Sequence, residues 1–166
     1  HRSWVTDEPL TLVGPAPVIA ECRNWLKPGQ ITVSLREVTA GERFEVDGYT
    51  ITVLPARHPA LGESVLYLID DGEKRLLYAC DTGPWAEGFL ELIDGERLDV
   101  VIMEQTFGHR EDLAKDRHLG FEGFAANFEA LREANAIDET TRLIAAHLSH
   151  HNPFDVATQL NEIGAL

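Results

Sequence analysis

Residues 98–103 read Leu-Asp-Val-Val-Ile-Met, and Glu104 follows them directly. A nearly continuous apolar run of this length is typical of a strand that helices cover on both faces of a sheet. A carboxylate at the end of such a strand lies at the sheet edge where α/β proteins carry their functional loops. The stretch therefore predicts an α/β fold with chemistry at one edge of its sheet.

Further strands and helices on both sides of this run complete the pattern. Alternating or β-branched apolar segments predict strands at 10–14, 31–38, 42–46, 49–54, 64–70, 74–80 and 141–146. Helical spacing of apolar residues predicts helices at 17–26 and 120–136, Pro84 at an early helical position predicts one at 84–93, and Asn152 as an N-cap predicts one at 153–163. We therefore expect one domain over residues 1–166, with helices covering a mixed sheet.

Composition narrows the class of partner. The formal net charge is −14 and the 14 basic residues are scattered, whereas nucleic-acid binding uses clustered Lys and Arg. We therefore expect a small-molecule substrate and no nucleic acid. No apolar run approaches the ~20 residues of a membrane span. Cys22 and Cys80 lie on predicted elements as reduced core residues, which favours a cytoplasmic location. The oligomeric state is open, a homodimer included.

Candidate ligand residues follow three other predicted strands. His58 lies in a loop flanked by prolines, Asp81 precedes Thr-Gly, and His147 directly follows the strand at 141–146. Imidazole nitrogens and carboxylate oxygens are ligands of zinc and similar metals. Each residue also has an ordinary explanation, such as an exposed loop histidine or, for Asp81, a turn or N-cap. Their shared place at strand ends favours a metal site.

A second candidate pair joins Glu104 to the loop before the helix at 120–136. This loop carries His109 and His118. A carboxylate and an imidazole brought together can orient and tune a general acid, so Glu104 and His118 are the predicted catalytic residues. The alternative is that both histidines face water. His150 and His151 either support the site or cap the last helix.

In this order the motifs resemble the metallo-β-lactamase superfamily, nearest to its tRNA 3′-processing endonuclease and cyclic-phosphate phosphodiesterase branches. The matching segments are Arg57-His58-Pro59-Ala60-Leu61-Gly62, Tyr78-Ala79-Cys80-Asp81-Thr82-Gly83, Glu104-Gln105-Thr106-Phe107, His118 and His147-Leu148-Ser149. The resemblance implies a four-layer αββα sandwich whose N-terminal part is absent. The family's His-x-His-x-Asp-His motif does not occur, and we expect it upstream of His1. The end after Gly164 is compatible with a chain that continues past Leu166.

The resemblance also implies a mechanism, which is hydrolysis of a phosphodiester by metal-activated water. The implied cofactors are two divalent ions, zinc first, with manganese and iron as alternatives. His58 would bind one ion, His147 the other, and Asp81 would bridge them. His118 would protonate the leaving oxygen or stabilise charge on the phosphate, and Glu104 would orient His118.

Two other functions stay open. The same fold could hydrolyse an amide, a lactone or a thioester, because a fold does not fix its substrate. The domain could also be a metal-free scaffold or regulatory module, which the absent His-x-His-x-Asp-His motif favours. The retained cluster of His58, Asp81, His118 and His147 opposes this reading, because a scaffold has no need of convergent ligands.

Overall fold

The computed structural model describes residues 10–26, 33–58 and 62–149. Its first unit is a two-stranded parallel sheet of β1 (Leu10–Gly14) and β2 (Val33–Glu37), connected through helix α1 (Ala16–Trp25). Pro17 lies in the first turn of α1, where a missing N–H leaves no helical hydrogen bond unmade. The unit confirms the predicted strand at 10–14 and, within one residue at each end, the helix at 17–26.

The second unit is a six-stranded mixed sheet. The neighbouring strands follow chain order, and those from β3 to β6 pair antiparallel, whereas β6, β7 and β8 pair in parallel. Parallel neighbours need long crossovers, and these crossovers carry the helices. The strands are β3 (Arg43–Val46), β4 (Tyr49–Pro55), β5 (Val65–Asp70), β6 (Arg75–Ala79), β7 (Val100–Glu104) and β8 (Arg142–Ala146).

Three helices connect the later strands, namely α2 (Phe89–Leu92), α3 (Glu111–Ala114) and α4 (Phe121–Glu133). The prediction of a helix over 84–93 is wrong for its first part, because Gly88 has a φ of 79° and blocks an earlier start. Helix α4 ends before the predicted residue 136. Asn135 turns left-handed there with a φ of 55°, and the Ala136 N–H bonds to the Leu131 carbonyl, as at many helix ends.

Apolar residues cover both faces of the sheet. Along β4, Ile51 and Val53 join one buried cluster, whereas Leu54 joins the other. The larger cluster lies on the helical side, and Phe89, Phe124 and further residues of the later strands fill it. The smaller cluster includes Val13 of β1 among its neighbours. Sheet β1–β2 therefore packs towards the face that the helices leave open.

Some predictions fall outside the described residues, namely the helix at 153–163 with Asn152, the first two residues of the strand at 31–38, and His150 and His151. Cys22 and Cys80 are free thiols, as expected, but both are half-buried and not in the core. Among the described helices, none is long and apolar enough to cross a membrane.

Candidate metal and catalytic site

Four strand ends meet at one edge of the six-stranded sheet. Strand β5 is antiparallel to both β4 and β6, so those two run in the same direction, and β7 and β8 run parallel to β6. The carboxyl ends of β4, β6, β7 and β8 therefore lie along the same edge, with the start of β5 between the first two. His58, Asp81, Glu104 and His147 come at or just after these ends. The topology thus brings the sequence-predicted residues to a common edge.

The loops that carry His58 and Asp81 are bonded to each other. The Arg57 N–H donates to the Thr82 hydroxyl oxygen at 3.0 Å, and the Gly83 N–H donates to the Arg57 carbonyl, also at 3.0 Å. His58 Nε2 lies 3.3 Å from Asp81 Oδ1. The two bonds hold the loops of His58 and Asp81 against each other.

One oxygen of Asp81 faces three imidazoles. Besides His58, His118 Nδ1 lies 3.6 Å and His147 Nε2 lies 3.8 Å from Asp81 Oδ1. Asp81 and His147 both adopt left-handed backbone, with φ of 64° and 56°. Residues other than glycine seldom hold this conformation, and such strain concentrates at functional sites. Of the five described residues other than glycine with this backbone, two therefore lie in the cluster.

Glu104 lies behind this cluster and is fully buried. Its Oε2 accepts the Thr82 N–H at 2.6 Å, and its Oε1 accepts the Leu119 N–H at 2.8 Å and the Thr106 hydroxyl at 2.7 Å. His118 Nδ1 lies 3.2 Å from the same Oε1. The carboxylate therefore anchors three loops at once and orients the His118 ring.

The donors that remain fit a divalent metal. One atom each of Asp81, Glu104, His118 and His147 lie within 4.8 Å of one another. Glu104 is already saturated with hydrogen bonds, and His118 turns Nδ1 towards it. Asp81 Oδ1 and His147 Nε2 stay available, with His58 Nε2 beside them. A carboxylate with two imidazoles is a ligand set that zinc and its neighbours favour.

The loop that carries His118 packs tightly against the Asp81 loop. A Cβ at Gly83 would overlap the carbonyl group of Asp116, with 2.7 Å to its carbon. Glycine therefore allows this close approach. The Glu111 carboxylate closes the far end of the same loop, since its Oε1 accepts the Glu122 N–H at 2.8 Å at the start of α4. An anion at a helix start is stabilising.

Two cavities flank the cluster. One of about 330 Å³ is lined by His118, by apolar residues such as Phe107 and by three exposed charged residues, Lys115, Asp116 and Arg117. The other, of about 250 Å³, reaches His58, Cys80 and Asp81. Burial raises the pKa of the Cys80 thiol, which keeps it protonated at neutral pH. The first cavity thus borders His118 with two cationic residues and one acidic residue on its wall.

Comparison with known families identifies the fold. A family model described as a beta-lactamase superfamily domain matches residues 2–148. The chain belongs to the beta-lactamase superfamily. The match confirms the predicted metallo-β-lactamase fold. Members of this family are generally hydrolases. No curated protein matches the sequence.

Several solved structures share this fold. The metallo-beta-lactamase fold protein YhfI from Bacillus subtilis is 19% identical over 97% of this chain and 60% of its own, with a TM-score of 0.71. A diphosphatase of the PhnP family is 16% identical over 88% and 50%, with a TM-score of 0.65. Human tRNase Z, short form, is 14% identical over 88% and 62%, with a TM-score of 0.66. The chain thus spans 50 to 62% of the length of these structures.

The five predicted ligand and catalytic residues all lie at this edge of the sheet, together with two threonines for which the sequence indicated no role. Thr82 and Thr106 connect Glu104 to the loops of His58 and His147 through the hydrogen bonds given above and one from Thr106 to His147. The signals in the sequence were their positions, one residue after Asp81 and two after Glu104, within the two segments that match the superfamily.

Proposed function

We propose that this member of the beta-lactamase superfamily is a metal-dependent hydrolase of a phosphodiester. The observation that carries the proposal is the convergence of His58 Nε2 and His147 Nε2 on Asp81 Oδ1, beside an imidazole that a buried carboxylate holds. Groups arranged in this way serve metal-assisted hydrolysis.

His58, Asp81 and His147 would hold the metal, with Asp81 shared between two ions and zinc as the first candidate. These three donors are fewer than two zinc ions usually take from a protein, so a second ion draws on further ligands. A bound divalent ion supplies a Lewis acid for the phosphoryl oxygen and lowers the pKa of water towards about 7.

His118 would act on the substrate itself. Glu104 fixes the Nδ1 side of the ring, and the ring also borders the cavity that contains Lys115 and Arg117. Nε2 is then the nitrogen left to donate a proton to the leaving oxygen or to stabilise charge on the phosphate. Glu104 is fully buried, so it acts through His118 as a positioning residue.

The cationic cavity favours a phosphodiester over the alternative substrates. Lys115 and Arg117 line the same cavity as His118, and Asp116 is the one acidic residue in that lining, so the lining carries a net positive charge in a chain whose net charge is −14. Arg and Lys complement phosphate oxygens well. An amide, lactone or thioester centre carries no negative charge for such a pair.

A substrate panel tests this choice. The intact protein is the chain together with the segment expected upstream of His1. Loaded with zinc or manganese, it is offered bis(p-nitrophenyl) phosphate, a chromogenic lactam and a chromogenic thioester. We expect turnover of the phosphodiester alone, its loss on chelation and its return when metal is added back. Turnover of the lactam or thioester without the phosphodiester would contradict the proposal. The Lys115→Ala and Arg117→Ala variants should raise KM more than they lower kcat.

A further inference from the structure

Thr106 lies between two residues of the site and is almost fully buried. Its Oγ1 is 2.7 Å from Glu104 Oε1 on one side and 2.9 Å from His147 Nδ1 on the other. The bond to His147 joins residues that are 41 positions apart in the chain. The hydroxyl is therefore the link between the buried carboxylate and a proposed metal ligand.

The direction of the two bonds follows from the donors available. A hydroxyl has one proton to donate. Both oxygens of Glu104 already accept main-chain N–H groups, from Thr82 at 2.6 Å and Leu119 at 2.8 Å, so the carboxylate is also the acceptor towards Thr106. The hydroxyl proton thus goes to Glu104. What Thr106 turns towards His147 is a lone pair, and Nδ1 must carry the proton of that hydrogen bond.

A neutral imidazole has one protonated nitrogen, so a proton on Nδ1 leaves Nε2 with its lone pair free. Nε2 is the nitrogen that faces Asp81 Oδ1, at 3.8 Å. Only a nitrogen with a free lone pair binds a metal. Without a partner at Nδ1, the ring can carry its proton on either nitrogen. The tautomer with the proton on Nε2 could not bind a metal through that nitrogen.

The main chain keeps this arrangement in place. The Gln105 N–H donates to the Ala146 carbonyl at 2.9 Å, and the Ser149 N–H donates to the Thr106 carbonyl at 3.0 Å. The segments that carry Thr106 and His147 are thus bonded on both sides of the contact. The hydroxyl meets the ring in a fixed geometry.

We propose that Thr106 is a positioning residue for His147. Its hydroxyl donates to Glu104 and therefore accepts from His147 Nδ1, which fixes the His147 tautomer that leaves Nε2 free for a metal. The consequence for metal binding rests on the proposed function, whereas the tautomer itself does not.

Nitrogen NMR of the metal-free intact protein, labelled at histidine, tests the tautomer. The two ring nitrogens of His147 differ in chemical shift and in their couplings to ring protons. For the neutral ring, we expect the proton on Nδ1. A wild-type His147 with its proton on Nε2 would overturn the proposal, whatever the variants do.

Two variants separate the hydroxyl from the packing. Thr106→Val keeps the shape and removes the hydroxyl, and it should shift His147 towards the Nε2–H form and weaken zinc binding by about 10- to 100-fold in a chelator competition. Thr106→Ser should keep both properties at wild-type values. An unchanged tautomer in Thr106→Val would overturn the proposal.

The matched control is Thr141→Val. Thr141 donates its hydroxyl to the Leu98 carbonyl at 2.8 Å and accepts the Asp138 N–H at 3.1 Å, away from the site. This variant loses a comparable pair of hydrogen bonds, so it should reproduce any loss of stability but leave the His147 tautomer and the zinc affinity unchanged. A wild-type protein that binds no zinc contradicts the proposed function but not the tautomer assignment.

Discussion

At the scale of the residue, one Asp81 oxygen is the point on which three imidazole nitrogens converge, at 3.3, 3.6 and 3.8 Å. Asp81→Asn keeps the size of the side chain, and asparagine tolerates the left-handed backbone that Asp81 adopts. The change removes the negative charge that would draw in a metal. We expect kcat/KM for a phosphodiester to fall more than about 100-fold, with little loss of stability.

The chain offers a matched control for this variant. Asp47 also has left-handed backbone, with a φ of 50°, but it lies in the Asp47-Gly48 turn between β3 and β4. Asp47→Asn should therefore keep wild-type kinetics. Equal losses in the two variants, or normal turnover in Asp81→Asn, would refute the role given to Asp81.

His118 is the residue to which we give the proton transfer. Replacing it with glutamine should lower kcat by about 10²- to 10⁴-fold, because a positioned general acid contributes about that much. Metal content should not change. His109→Gln is the control in the same loop, where His109 lies 5.3 Å from the Phe121 ring. A kcat that survives in His118→Gln would assign proton transfer elsewhere.

Single residues at strand ends were predictable from the sequence, because a polar group that ends an apolar strand stands out. The supporting hydrogen bonds were not. The Thr82 N–H reaches Glu104 across 22 residues, and Thr106 reaches His147 across 41. Such bonds depend on which strands become neighbours, and a local pattern contains no information on that pairing.

At the scale of the element, the contact between the Asp81 and His118 loops depends on Gly83. Gly83→Ala places a Cβ where the Asp116 carbonyl lies, so the loops must separate. We expect a loss of about 1–3 kcal/mol of unfolding free energy in urea and a drop in kcat greater than the drop in stability explains. Gly14→Ala is the control, because its Cβ would meet Val18 at 3.4 Å, an ordinary contact. Wild-type kinetics in Gly83→Ala would contradict the packing account.

Contacts at the start of β6 and β7 should make stability depend on pH. Asp99 accepts the Lys74 ammonium at 2.6 Å and the Arg75 N–H at 2.9 Å, and Lys74 first, then the N–H, holds the pKa of Asp99 below its ordinary 3.8. A lowered pKa stabilises the fold above the pH where the unfolded carboxyl titrates, and this contribution is lost as pH falls through the folded value.

Asp99→Asn should therefore lower the melting temperature near neutral pH. The gap from wild type should close as the pH falls well below 3.8, where wild-type Asp99 also becomes neutral. Thermal melts by circular dichroism over a series of pH values measure this gap. A gap that stays constant down to the most acidic point would show that Asp99 acts through shape and not through charge.

Element boundaries show where local patterns fail. The periodicity of 120–136 predicted α4 because Phe124 and Leu131 fall on one buried face. The segment at 84–93, predicted as a helix with Pro84 at an early position, is helical only over Phe89–Leu92. There the Trp85 indole N–H donates to the Asn127 carbonyl of α4 at 2.9 Å, a tertiary bond that the sequence pattern does not reveal.

At the scale of the whole molecule, the helical side of the sheet contains the larger core. Phe124 of α4 is fully buried there. Phe124→Ala should cost about 3–5 kcal/mol, because a large cavity remains. Glu133→Ala on the exposed side of α4 is the control, with a change within about 0.5 kcal/mol. Denaturant unfolding measures both, and equal values would contradict the packing of α4 on the sheet.

The architecture was predictable as a class and by resemblance, but its strand pairing was not. The sequence predicted helices over a mixed sheet, whereas β1 and β2 form a sheet of their own. Alternation of apolar residues shows that a strand is half-buried, not which strand is its neighbour. The homodimer, the cytoplasmic location, the single domain over 1–166 and the count of two ions stay predictions.

Metal content of the intact protein tests the central claim most directly. Wild type, Asp81→Asn and Asp47→Asn are incubated with zinc, freed of loosely bound ions and analysed for metal and protein in the same sample. The account predicts about two ions per chain in wild type and Asp47→Asn, with a clear loss in Asp81→Asn. A wild-type protein without metal, or equal metal in Asp81→Asn and wild type, would contradict it.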